Sequence, residues 1–266
     1  MDGHQKIIVF DLDETLGYFT ELNILWNILK DYAKTQSLNV SSIFNQNYFN
    51  KLLDLYPEFM RKSIYSILHY VKYKKKSDEC YKIYIYTNNQ CLGNWVDLIK
   101  NYIEYKIHFS LFDGIIKAYK IKNNIIEPNR STSEKTYDDF IKCIGNAENN
   151  IKICMIDDTN FPIREHKQVT YIKVVPYIHT ISFISLFKRF THSELYTIYN
   201  NDKTHFIDYV LSRLNNNIIK YKKKLYIETI IDNINSKRIM VKIQDFFNPN
   251  KSKGLNKYNK TRKIRH

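Results

Sequence analysis

The sequence predicts an α/β protein, a parallel sheet with helices on both faces. Three observations carry that prediction. Short β-branched and aromatic runs at Ile7–Phe10, Tyr81–Tyr86, Ile151–Ile156 and Val169–Val175 have the apolar character of strands covered on both sides. Stretches with apolar residues at helical spacing separate them, which is the alternation a parallel sheet needs for its crossovers. The polar groups Asp11-Leu12-Asp13, Thr87-Asn88-Asn89 and Asp157-Asp158 come directly after strands, where open parallel sheets gather their chemistry.

Taken in order, Ile7–Phe10 is the first strand. Glu21–Lys34 and Gln46–Leu55 follow as helices, the former with Leu22, Leu25, Trp26 and Leu29 on one face. Pro57 suits the first turn of another helix running to about Tyr73, with Met60, Ile64, Ile67, Leu68 and Val71 inward. Together these make a helical insert over about residues 20–76. The lysine run Lys72–Lys76 leads to the second strand, Tyr81–Tyr86. A helix over Trp95–Tyr105, the short run Ile107–Phe109 and a hairpin over Gly114–Glu127 turning at Asn123–Asn124 come next. Lys135–Ile144 reads as a helix, then Ile151–Ile156 and Val169–Val175 as strands. Beyond Pro176 the pattern is mostly helical. Asn248–His266 has seven basic residues in its last sixteen and no acidic one, the composition of a disordered basic tail. The expected organisation is a main domain over 1–178, a helical basic extension over 179–247 and the tail over 248–266.

The chain has 266 residues, 44% hydrophobic and 15% aromatic, enough to build a core and to exclude a wholly disordered protein. Its formal charge of +14 is unevenly placed: residues 1–175 hold 23 basic and 21 acidic side chains, residues 176–266 hold 18 and 6. A nucleic acid or other acidic partner would therefore meet residues 176–266. No motif that reads bases appears. Cys80, Cys91, Cys143 and Cys154 lack zinc-ligand spacing and suggest no disulfide framework, which fits an intracellular protein, cytoplasmic or nuclear. Ile7–Phe10 is too short for a signal peptide core. The most apolar long window, Val169–Phe187, contains Lys173, Pro176 and His179, so no membrane span is expected.

Each strand end suggests chemistry. Two carboxylates two residues apart, Asp11 and Asp13, suit covalent catalysis in which one attacks and the other handles protons, although Asp also caps helices and closes turns. Thr87, with Asn88 and Asn89, offers a hydroxyl and backbone amides to a phosphoryl oxygen, or a cap to the following helix. A lysine opening a helix, Lys135, opposes the macrodipole and needs solvent or an anion. Vicinal Asp157 and Asp158 repel unless a cation shares them, which points to Mg²⁺ with oxygen ligands. Tyr84 and Tyr86 alternate with Ile83 and Ile85 and read as sheet packing. Trp95 fits core or substrate stacking equally, and Arg130 reads as exposed.

In this order, Asp11-Leu-Asp13-Glu-Thr15-Leu, Ile-Tyr-Ile-Tyr-Thr87, Lys135 and Ile-Asp157-Asp158 resemble the four motifs of the haloacid dehalogenase superfamily of phosphohydrolases. The form Asp-Leu-Asp-Glu-Thr-Leu, and the stretch Leu55–Arg61, further resemble the carboxy-terminal-domain phosphatase branch, which dephosphorylates serine and threonine in proteins. Residues 7–175 look most like uncharacterised members from large DNA viruses and algae. The resemblance implies a Mg²⁺-dependent phosphomonoester hydrolase. Asp11 would be the nucleophile and Asp13 the acid and base. The metal would sit on Asp11, the Asp13 carbonyl and Asp157, with Asp158 beside it. Thr87, Asn88 and Lys135 would bind the phosphoryl group. The implied substrate is first a phosphoprotein, and the basic back third puts a nucleic-acid 3′-phosphate second. A non-catalytic scaffold that holds nucleic acid through residues 176–266 is the alternative from another class. Lys62 stands where that branch usually has proline, and Asp158 where it usually has asparagine.

Overall fold

The computed structural model describes residues 4–145, 150–199, 203–214 and 225–249. In chain order the elements are β1 (Gln5–Phe10), α1 (Thr20–Thr35), α2 (Val40–Ile43), α3 (Gln46–Asp54), α4 (Ile64–Lys76), β2 (Lys82–Tyr86), α5 (Trp95–Ile107) and β3 (Gly114–Ile116). They continue as β4 (Lys120–Ile121), β5 (Asn124–Ile125), α6 (Tyr137–Ile144), β6 (Ile151–Asp157), β7 (Val169–Lys173), α7 (Phe183–Thr191), α8 (Lys203–Leu214) and α9 (Tyr226–Phe247). Five strands form one parallel sheet in the order β3-β2-β1-β6-β7. The α/β class, the parallel sheet, the insert after β1 and the helices described beyond Pro176 all agree with the sequence reading.

Alternation along β1 explains the two covered faces. Ile8 and Phe10 point into a large core with Leu22, Leu29, Phe49, Leu68 and Ile99 from the helices α1, α3, α4 and α5. Ile7 and Val9 point the other way, to Phe140 of α6 and Ile163. The helices beyond Pro176 join the first of these cores. Tyr32 of α1 packs against Tyr199 and Phe206, and Tyr56 Oη donates to the Leu186 carbonyl at 2.6 Å. Ile239, Ile243 and Phe247, one stripe of α9, are buried, and Phe247 meets Tyr70 of α4 edge to face. No helix among the described residues is long and apolar enough to cross a membrane.

Four local readings are corrected. The helix expected from Pro57 to Tyr73 is broken: Pro57–Phe59 form a single 3-10 turn, and α4 begins only at Ile64. Met60 is pulled into extended pairing with Gly17, and Ser63 turns back through φ +60°. Gly114–Ile116 is a fifth strand of the main sheet, not a hairpin arm; the hairpin is only β4 and β5, turning at Lys122-Asn123 with Lys122 at φ 54°. Ile107 closes α5, with His108 as its left-handed cap. Lys135 precedes α6, whose cap is Thr136 accepting from the Asp139 amide. The expected basic tail, apart from Asn248 and Pro249, lies outside the described residues.

Candidate active site

The carboxyl ends of β2, β1 and β6 lie side by side, so the polar residues that follow them share one crevice. The Asp11 amide donates to the Ile156 carbonyl at 2.9 Å, which carries the β1–β6 ladder one residue beyond Phe10 and fixes the Asp11 backbone. Asp157 ends β6, and its carbonyl accepts from Val174. Between the two carboxylates stands Lys135, 1% exposed, whose Nζ donates to Asp11 Oδ1 at 2.6 Å and Asp157 Oδ2 at 2.7 Å. The Lys135 carbonyl accepts from Ile163, and its ammonium lies 4.8 Å from the Phe161 ring centroid. The anions it needs are therefore these aspartates rather than solvent.

The turn after β1 is held from several directions. Glu14 takes φ 59°, and its amide donates to Gly17. A Cβ on Gly17 would lie 2.4 Å from the Phe59 carbonyl oxygen, so only glycine lets the two segments pair. Arg61, 2% exposed, donates to the carbonyls of Thr15, Glu14 and Val175 and stacks near Tyr177. One guanidinium thus joins the β1 loop to the exit of β7. Thr15 Oγ1 accepts from the Asp158 amide at 3.1 Å and faces its carboxylate, so Asp158 is turned toward Thr15 and not toward Lys135.

The loop after β2 meets this turn. Asn89 Nδ2 donates to Asp13 Oδ2 at 2.8 Å, and the Asn89 amide donates to Thr87 Oγ1 at 3.0 Å. Thr87 is buried, and its accepting bond leaves the hydroxyl proton to donate elsewhere. The Asn88 side chain is spanned by Arg130 and the Ser133 carbonyl. Arg130 is 2% exposed, not a surface residue; it also reaches the carbonyls of Thr87 and Lys117 and lies over Tyr86. Trp95 is core, edge to face with Phe49. Tyr84 and Tyr86 pack on Phe140 as expected.

Electrostatically the crevice is acidic. Burial pushes the Asp13 carboxyl up to about 6, with the Asn89 hydrogen bond opposing and the Asp11 charge adding to the rise. Burial also raises Asp157, against the pull of Lys135, and raises Asp158, where the Asp11 charge acts in the same sense. One oxygen from each of Asp11, Asp157 and Asp158 lies within 4.8 Å of the others. Three converging carboxylates against one ammonium, all donors being oxygen, suit a hard divalent cation. The Asp13 side chain is outside this trio.

A scan of family models, a search of curated proteins and a search of solved structures return no match to this chain.

The functional geometry therefore rests on the residues themselves. Asp11, Asp13, Thr87, Lys135, Asp157 and Asp158, which the sequence singles out, are brought together. The sequence pattern gives Arg61 and Arg130 no place in the site and Asn89 only a backbone amide, not the side-chain bond to Asp13. The partners of the two arginines are mostly main-chain carbonyls, and these leave no mark in a sequence pattern.

Proposed function

We propose that the chain is a Mg²⁺-dependent phosphomonoester hydrolase of the haloacid dehalogenase type, with Asp11 as its nucleophile. The observation that carries the reading is Lys135 bridging Asp11 and Asp157 at the carboxyl ends of adjacent parallel strands, with a second, protonatable carboxylate at Asp13. The side chains of Asp11, Asp157 and Asp158, with the main-chain carbonyl of Asp13, would hold the metal. Bound there, Mg²⁺ offsets the negative charge of a phosphoryl group facing these carboxylates.

The residues account for both halves of a hydrolysis. Lys135 holds Asp11 Oδ1, leaving Oδ2 to attack phosphorus. As the new O–P bond forms, the bond to the leaving oxygen breaks, and Asp13 gives its proton to the departing alkoxide. A water then attacks the aspartyl-phosphate. Asp13, now a carboxylate, takes the water's proton, and Asp11 and inorganic phosphate are released. Lys135 and the Thr87 hydroxyl stabilise charge on the phosphoryl oxygens throughout.

Phosphoserine or phosphothreonine in a protein is the substrate class we put first, on the likeness of Asp11–Leu16 to the carboxy-terminal-domain phosphatases. The test is hydrolysis of an aryl phosphate with and without Mg²⁺ by the intact chain and by Asp11→Asn. Metal-dependent turnover absent from the variant supports the reading. Equal turnover in both proteins, or none in either when both are folded, rejects it. A panel of phosphopeptides and 3′-phosphorylated oligonucleotides then ranks substrates.

A further inference from the structure

A groove runs along the outer edge of the sheet, between β7 and α9. A cavity of about 590 Å³ at one end continues into one of about 120 Å³, the two sharing Ile172 and Lys242. Among the described residues β7 is the last strand of the sheet, so one of its edges has no neighbouring strand there. Towards β6 it uses the Gln168 carbonyl and the Val174 amide. Main-chain groups alternate along a strand, so those of Tyr171 and Lys173 face the groove, with no strand to pair them among the described residues.

Two further features of the groove point to a ligand. Asn235 of α9 lines it, is only 8% exposed, and its Nδ2 has no hydrogen-bond partner among the described residues. Lys167, Arg238 and Lys242 also line it; they are exposed and make no ion pair among the described residues. Lysines on an edge strand alone serve to repel other strands. Here cations stand on the facing helix as well, beside a buried donor that lacks an acceptor, and repulsion requires neither.

We propose that this groove binds an extended acidic peptide segment, which adds to Tyr171 and Lys173 as a sixth strand. Its carboxylates meet Lys167, Arg238 and Lys242, and one of its carbonyls accepts from Asn235. A nucleic acid fits less well, because the outward carbonyls of Tyr171 and Lys173 repel phosphates. The chain's own residues 250–266 are excluded by charge, with seven basic side chains and no acidic one. This binding does not depend on the hydrolase reading.

The test is fluorescence anisotropy of a labelled octapeptide of alternating glutamate and valine with the full chain, at low and moderate salt. Arg238→Glu with Lys242→Glu should weaken binding at least tenfold, and Lys167→Glu should act in the same direction. All three positions are exposed, and unchanged melting temperatures establish that the variants fold. N-methylation of one alternate set of peptide amides should abolish binding while the other set is tolerated, and the Tyr171 and Lys173 amides should gain protection from hydrogen exchange. Absence of binding, indifference to both methylation patterns, or full displacement by an oligodeoxythymidine of equal charge would overturn the proposal.

Discussion

Asn89 donates through Nδ2 to Asp13 Oδ2 over 2.8 Å, tying the loop after β2 to the second carboxylate of the β1 loop across 76 residues of sequence. The bond fixes where Asp13 points and moderates the rise that burial imposes on its carboxyl. On the proposed hydrolysis, replacing Asp13 by asparagine should lower kcat by about 10²- to 10⁴-fold, the usual worth of a general acid–base group. Asn89→Ala should cost less, roughly tenfold, because the carboxyl remains but its direction is lost. Steady-state kinetics on the two variants, with circular dichroism to establish folding, checks both; an Asn89→Ala variant as active as the parent would remove Asn89 from the proposed site.

Lys135 neutralises charge in a place almost closed to water. Lys135→Met leaves Asp11 and Asp157 buried without their cation, which should cost about 3–5 kcal/mol of stability. Millimolar Mg²⁺ should restore part of that loss, because a divalent ion at the three carboxylates replaces the missing charge. Urea melts with Mg²⁺ and with EDTA make the comparison. A loss of equal size in both conditions would argue against metal at this trio.

Arg61 binds three carbonyls from two segments. Arg61→Lys should behave nearly as badly as Arg61→Met, since a single ammonium cannot reproduce the planar fork. A destabilisation of roughly 2–4 kcal/mol is expected for either, from charged hydrogen bonds lost in a buried site. Chemical denaturation gives the values, and full rescue by lysine would show that charge alone matters.

Glu21 supplies a pH dependence away from the crevice. Burial raises its carboxyl from 4.5 to about 7, although the Ile181 amide donates to it. The folded chain therefore keeps a proton that the unfolded chain releases between those values. Stability falls as pH rises from about 4.5 to about 7 and this contribution is flat above. Glu21→Gln, which can still accept from Ile181, should be more stable than the parent at pH 8, and the gap should close towards pH 4.5. Thermal melts across that range test the sign, and a gap that widens on acidification would reverse it.

The strands of the sheet other than Gly114–Ile116, and the places of Asp11 and Asp157 at strand ends, are legible in the sequence. Both follow from local pattern: an apolar run covered on two faces ends where a carboxylate replaces the apolar side chain, and in a parallel sheet such ends gather at one edge. Only the tertiary structure decided what each polar residue touches. Lys135 finds partners 124 and 22 residues away, and Asn89 rather than Asn88 meets Asp13. Arg130, which the sequence pattern reads as exposed, and Arg61 are both buried because folding brings free carbonyls around them. The helix expected across Pro57–Tyr73 is interrupted for a related reason, since pairing with Gly17 and the Leu16 carbonyl overrides helical propensity at Met60 and Arg61. Propensity acts between neighbours in the chain, whereas a loop's direction is set by hydrogen bonds to segments that only the fold brings near.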